Sequence, residues 1–451
     1  MSTTSSTLTS VLTALGGSTG IDVTDAVDAI LYADRAPERG WQAQQTTLNT
    51  QAAAIEQIQS EASSLSDSLS DLQTSGGVLS STSATSSNTS VLTASAVDST
   101  AAGSHIIVVN SLATTGSWYS AAETSSSTAL SAGSFSITAN GTTTPITINS
   151  GDTLTSLAAS INSQSLGVTA SVVTDSSGAR LTLVSQKSGS AADVSVSGAT
   201  GLSFTRANTG ADASLTVDGV PISSASNTVT GAISGVTLNL LSSSAGSEIS
   251  LNLAPDTSSI STAVSSFVTA YNTLIKDVNS QFAYDKSTNT AGTLSGDSTI
   301  FALQSALLGA TNFTGTTGSI TSLSQLGIST NEDGTLSLDT DTLNSAVSSN
   351  SSAVASFFQG ASSNGFAASV TNTLNTYTDS TQGAFTIDLK SISSEYTDLG
   401  NQIDTLELYV TSQQSILTAK YNAADIAIQE LPQKLKQINA LLNPNSDNSS
   451  S

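Results

Sequence analysis

Between Ile392 and Leu442 the apolar residues fall on a seven-residue repeat, and no other stretch limits the fold so tightly. Tyr396, Ile403, Val410, Leu417, Ala424, Leu431 and Ile438 form one row. Ile392, Leu399 and Leu406 flank it, followed one position out of frame by Tyr421, Ile428, Leu435 and Leu442. Two such rows make an apolar seam along one side of a long helix. At about 1.5 Å per residue that helix reaches roughly 75 Å. A lone helix leaves such a seam in water, so it needs a companion.

The other end of the chain supplies one. Trp41, Leu48, Ile55, Ala62 and Leu69 repeat every seven residues, and Ile58, Leu65 and Leu72 run three positions behind. The termini are therefore expected to come together, with the middle inserted between them. The expected bundle core contains Trp41, Leu48, Ile55, Leu65, Phe267, Tyr271, Leu274, Tyr396 and Ile403. Ahead of it, Leu8, Val11, Leu12 and Leu15 keep helical spacing, with Gly16, Gly17 and Gly20 interrupting. Asp22 suits the cap of a short helix carrying Val23, Val27, Ile30 and Leu31 on one side, and Pro37 is expected to end it. This arm is too thin to fold alone and is expected to order only against a partner.

From about 91 to 255 the pattern changes to period two with β-branched residues. Strands are expected at Val91–Ala96, His105–Asn110, Phe135–Thr138, Ile146–Ile148, Val168–Val173, Arg180–Val184, Leu215–Val217, Val236–Leu241 and Ile249–Leu253. Asp152 is read as the cap of a helix bearing Leu154, Leu157, Ala158 and Ile161. Asp218-Gly219 and Ser177-Gly178 read as turns. Helical spacing returns at Ile260, Val264, Phe267, Tyr271, Leu274 and Val278, again after Gly296-Asp297, and at Phe366, Val370, Leu374 and Tyr377. The fold class is α+β and multidomain: a helical bundle or coiled coil from both termini with two β-rich domains between them. The expected parts are an N-terminal arm (1–40), a bundle helix (41–78), a β domain (79–115 with 205–255), a second β domain inserted into it (116–204), a helical bundle (256–410) and a C-terminal coiled-coil arm (411–451).

Composition narrows the function. Only 10% of the 451 residues are charged, yet the net charge is −23, which disfavours nucleic acid or an anionic membrane as partner. There is no cysteine, hence no disulfide or thiolate metal site. The single histidine, His105, excludes a zinc site built on two histidines, and no G-x-S-x-G elbow accompanies it. Asp333-Gly334 lacks the remaining ligands of a calcium loop and reads as a hairpin turn. No phosphate-binding glycine loop is present. Neither a cofactor, a metal nor a catalytic residue is expected. No apolar run is long enough to span a membrane, and no cleavable leader is visible after Met1.

Several stretches resemble the flagellar filament-capping proteins, FliD or the hook-associated protein 2 family. They are Gly20-Ile21-Asp22, Ala26 to Ala33, Arg35-Ala36-Pro37 with Gln44, Leu48 and Gln51, His105 to Ala113, Gly151-Asp152-Thr153-Leu154 leading to Ile161-Asn162, and Asn227 to Leu240. The most specific is Phe267-Val268-Thr269-Ala270-Tyr271-Asn272, followed by Leu326-Gly327-Ile328 and Asp333-Gly334-Thr335-Leu336. The blocks keep the family order across nearly the whole chain. Asp34, where the family usually has glutamate, and Gly40-Trp41 are mild departures.

The resemblance implies a non-enzymatic cap at the distal tip of the bacterial flagellar filament, secreted through the flagellar type III channel. It implies a homo-oligomer of about five or six subunits, with flagellin, the hook–filament junction protein and an export chaperone at the C-terminal arm as partners. The arms would make the filament and oligomer contacts through Leu8, Val11, Leu12, Val27, Ile30, Leu31, Leu417, Ile428, Leu431, Leu435 and Ile438. Two other readings are another flagellar axial protein, such as flagellin or the hook–filament junction protein, and a flagellum-associated adhesin that binds glycan or mucin.

Overall fold

The computed structural model describes residues 22–442 apart from Ala245, Thr288, Ser362 and Ser363. Helix α1 (Val23–Asp34) starts at the expected cap, where Asp22 accepts from the backbone N–H groups of Thr24 and Asp25 at 3.1 Å each. Only Arg35 separates it from α2 (Ala36–Gln73). Pro37 therefore does not end the short helix as expected. It sits in the first turn of the next one, where a missing N–H and a fixed φ carry no penalty.

The inserted region runs through β1 (Thr82–Ser86), β2 (Leu92–Ala96), β3 (Gly103–Ser111), β4 (Ser117–Ser120), β5 (Gly133–Ala139), β6 (Thr142–Ile148), α3 (Leu154–Ser163), β7 (Val168–Asp175), β8 (Gly178–Ser185), β9 (Ser195–Thr200) and β10 (Phe204–Asn208). It closes with β11 (Ala213–Val217), β12 (Val220–Ser224), β13 (Thr228–Ile233), β14 (Val236–Leu240) and β15 (Ile249–Pro255). Helix α4 (Thr257–Phe282) follows, then the ribbon β16 (Tyr284–Asp285) and β17 (Thr290–Ala291), and α5 (Ser298–Ala310). The hairpin β18 (Ile328–Thr330) and β19 (Leu336–Leu338) leads to α6 (Thr340–Gln359), α7 (Phe366–Thr378) and α8 (Ala384–Leu442).

Two sheet pairs carry two separate cores. The order β1-β15-β3-β11-β12 packs with β13-β14-β2 around Leu92, Ile107, Val109, Leu215, Leu238 and Leu251. The order β10-β4-β8-β7 packs with β6-β5-β9 and α3 around Phe135, Ile137, Leu157, Ile161, Leu181 and Leu183. The second pair hangs from the first at one neck: Thr114 and Ala211 exchange backbone hydrogen bonds of 2.9 and 3.2 Å. Beside the neck, Asp212 accepts from the backbone and hydroxyl of Ser190. The cap of α3 is Thr153, not Asp152: Thr153 and Ser156 exchange side-chain bonds in a capping box, while Asp152 accepts from the backbone of Asn149.

The chain forms two compact units. One takes in the residues up to Ser66 with Ala270–Ala310 and those from Val370 onward; the other comprises Asp67–Thr269 and Thr311–Ser369. In the first, Leu48, Ile55, Ile58 and Leu65 of α2, Tyr271 and Leu274 of α4, and Leu303 and Leu307 of α5 are buried. The Tyr271 hydroxyl donates to the Leu307 carbonyl, and burial pushes its pKa up. In the second, Phe267 is buried with Phe357, Phe358 and Phe366. Trp41 and Ile403 are only half-buried. Tyr396, read as core, is 38% exposed. It borders an open groove lined by Asn49, Ala52, Glu56 and Leu389, because this side of α8 is left open beside α2.

Asp379 links α7 to α8 by accepting from the backbone N–H groups of Thr381 and Gln382, 2.8 Å each, and from the Thr381 hydroxyl. These bonds, the hydroxyl foremost, hold its pKa at about 2, against an ordinary 3.8. A depressed folded-state pKa stabilises above the ordinary value, and the contribution drains away as pH falls through the folded one. Asp379→Asn should therefore melt below the parent at neutral pH, with the two thermal midpoints converging as pH approaches about 2. A constant gap across that window would assign the effect to shape instead of charge.

Candidate assembly surface

The long seam of α8 is covered over part of its length. Val27 and Leu31 of α1 bury against Val410, with Val23, Leu406, Leu417 and Tyr421 packed around them. Arg35, in the break between α1 and α2, grips the Glu407 carboxylate with both terminal nitrogens; the Nη2–Oε2 distance is 2.9 Å. Its Nη1 also reaches Glu38 at 3.0 Å. The guanidinium holds the Glu407 carboxyl below its ordinary range. Both charges face solvent, so the pair fixes register more than it adds stability. Farther along, Gln44 donates to the Glu395 carboxylate at 2.7 Å and Gln45 to the Tyr396 carbonyl at 3.2 Å. From Arg35 to Gln44 the partner moves back from Glu407 to Glu395, so α2 runs antiparallel to α8.

Beyond Tyr421 the described residues of the seam are exposed. Ile428, Leu431 and Ile438 are exposed, Leu431 by 53% and Ile438 by 50%. Leu8, Val11 and Leu12 lie outside the described residues, as does the side chain of Leu435. Val27, Leu31 and Leu417, expected to be contacts to other subunits, are already used within the chain, and Ile30 is half-buried. The expectation that the first arm orders only against a partner thus fails from Val23 onward, because α8 offers a matching apolar stripe and Glu407 a charge for Arg35. Leu408, Tyr409, Ile416, Ile426 and Leu441 are exposed too. They lie outside the two heptad rows, so periodicity does not mark them. Tyr409 and Trp41 line a shallow apolar groove of about 510 Å³ with Leu406 and Thr405.

His105 is a structural partner. Its Nδ1 lies 2.7 Å from the Asp218 carboxylate, whose other oxygen accepts from the Ile106 backbone at 2.9 Å. The pair ties the Asp218-Gly219 turn to β3, and the imidazole bond keeps the Asp218 carboxyl below its ordinary range. Among the described residues no three histidine, aspartate or glutamate side chains gather as a metal site, and no helix is long and apolar enough to cross a membrane.

Three family models match the chain. Residues 19–116 match the flagellar hook-associated protein 2 N-terminus, 210–433 its C-terminus, and 134–187 the flagellin hook IN motif. The B-type flagellar hook-associated protein 2 of Pseudomonas aeruginosa is 32% identical over 439 residues, which is 88% of this chain and 92% of that protein. The chain belongs to the flagellar hook-associated protein 2 family. The Escherichia coli K12 member of the family is 38% identical over 96 residues, 20% of either chain. The crystal structure of the D1-D2-D3 domains of the E. coli flagellar cap protein FliD superposes with a TM-score of 0.59 at 27% identity, covering 75% of this chain and 99% of that one. The two end models of the hook-associated protein 2 family leave out 117–209, which holds all of the second sheet pair. The IN motif lies inside that pair, from β5 to the end of β8.

Proposed function

We propose that this chain is the structural cap at the distal end of the bacterial flagellar filament. There it promotes the folding and insertion of exported flagellin and prevents its loss. Family membership over nearly the full length carries this reading, and the uncovered apolar row on α8 supplies a means of attachment. The protein works by shape and binding and has no catalytic role. It is a secreted homo-oligomer of about five or six subunits, seated on the filament tip beside flagellin. The hook–filament junction protein and an export chaperone at the C-terminal arm are its further partners. Residues 79–115 with 205–255 and residues 116–204 act as two β domains, with 1–40 and 411–451 as arms. Filament contacts are made by Ile428, Leu431, Leu435 and Ile438, with Leu8, Val11 and Leu12 on the other arm.

A strain lacking the gene should carry stunted or no filaments and release flagellin monomers, and the full chain supplied in trans should restore both. Purified protein imaged in negative stain should show closed rings or stools. Filaments made of this chain alone would instead identify an axial subunit.

A further inference from the structure

The chain contains two Asn-Gly pairs, and they meet different surroundings. Asn140-Gly141 is the two-residue turn between β5 and β6, closed by the facing residues Ala139 and Thr142. Both turn residues have positive φ, 49° and 75°, as the tight hairpin requires. Both are exposed. Around Gly141 the space where a Cβ would sit is empty to 4 Å. The Gly141 N–H and the Asn140 side-chain amide have no hydrogen-bond partner among the described residues. At Asn364-Gly365 the glycine N–H donates to the Gln359 carbonyl at 3.1 Å, and backbone atoms crowd the glycine, Gly360 N at 2.4 Å from its would-be Cβ.

We propose that Asn140 is a spontaneous modification site, where the folded protein converts asparagine to a mixture of aspartate and isoaspartate. The Gly141 backbone nitrogen, losing its proton to base, attacks Cγ of Asn140. The new N–Cγ bond closes a five-membered imide as the Cγ–Nδ2 bond breaks, and Nδ2 leaves as ammonia. Water then opens the imide at either carbonyl. One opening gives aspartate; the other routes the main chain through the former side chain. No electrons are exchanged, and water is the only co-reactant. Glycine matters because no Cβ blocks the approach, and an unbonded N–H matters because attack then breaks no hydrogen bond. Asn364 is followed by glycine too, but there the N–H is already bonded and backbone atoms crowd the residue. The aspartate product moves the net charge from −23 one unit further negative. The isoaspartate product adds a main-chain carbon to a two-residue loop, so the Ala139–Thr142 closure cannot persist.

The test incubates the purified full chain at mildly alkaline pH, native and in urea, and digests it with a protease that cuts at aromatic residues. Peptides spanning each Asn-Gly pair are then resolved by mass spectrometry into asparagine, aspartate and isoaspartate forms. The native chain should convert Asn140 at least about tenfold faster than Asn364, a factor that reports their difference in barrier. In urea the two should react at similar rates. Gly141→Ala should slow conversion at Asn140, and since alanine is strained at positive φ, the urea comparison stands as the independent check. An Asn140 that stays intact in the native chain while reacting in urea would overturn the proposal. Equal native rates at Asn140 and Asn364 would do the same.

Discussion

Cells whose only copy carries Leu431→Asp with Ile438→Asp should grow short filaments or none and shed unpolymerised flagellin. Both side chains are half-exposed in the subunit, so the substitutions remove little from its own fold. Burying one such leucine or isoleucine in an assembly is worth about 1.5–3 kcal/mol. Two lost contacts per subunit, with charge placed on an apolar row, should shift attachment by orders of magnitude. The purified variant should keep the parent's circular dichroism and melting point. Normal filament length from that strain would remove the open part of α8 from the attachment surface. A variant that unfolds would instead show that the row fastens the chain to itself, as Val27 and Leu31 already do.

Phe366→Ala should cause the largest loss of stability of any single change considered. Its ring is buried and stands 5.4–5.9 Å, centroid to centroid, from those of Phe267, Phe313, Phe357 and Phe358. Removing a buried phenylalanine costs about 3–5 kcal/mol through lost transfer energy and the cavity left behind. Against a typical total of about 5–15 kcal/mol, that is a large share. Urea denaturation should show a lower midpoint at an unchanged slope. A shift below roughly 1 kcal/mol would mean that the neighbouring rings collapse into the space.

The sequence was most legible where periodicity was long. The rows on α2 and α8, the four-three spacing of α4 and the turn at Asp218-Gly219 all appear as expected. Alternation does not show β4, β9, β10, β12 and β13, and it leaves the Ser/Thr-rich 80–90, which holds β1, open between a linker and an edge strand. Their sequences, such as Ser195-Val196-Ser197-Gly198-Ala199-Thr200, carry too few apolar residues to show alternation, and pairing with neighbours makes them strands. Pro221 is tolerated in β12 because that strand is an edge. Helix α6 was hidden by serine and by a kink at Asn350. The candidate surface was half legible. Heptads mark apolar positions on α8, but they do not say which are already covered; the packing of Val27 and Leu31 on Val410, with Arg35 on Glu407, shows where α1 lies.

The neck at Thr114 and Ala211 bears on how such a protein can change over generations. Chain enters and leaves the second sheet pair through two facing residues, and hydrogen bonds from Ser190 to Asp212 brace the junction. Each sheet pair keeps its own apolar core. Lineages can therefore enlarge, trim or replace residues 117–209 while the sheet beneath closes over the same pair of backbone bonds. Selection can then reshape one apolar core while the other keeps its packing.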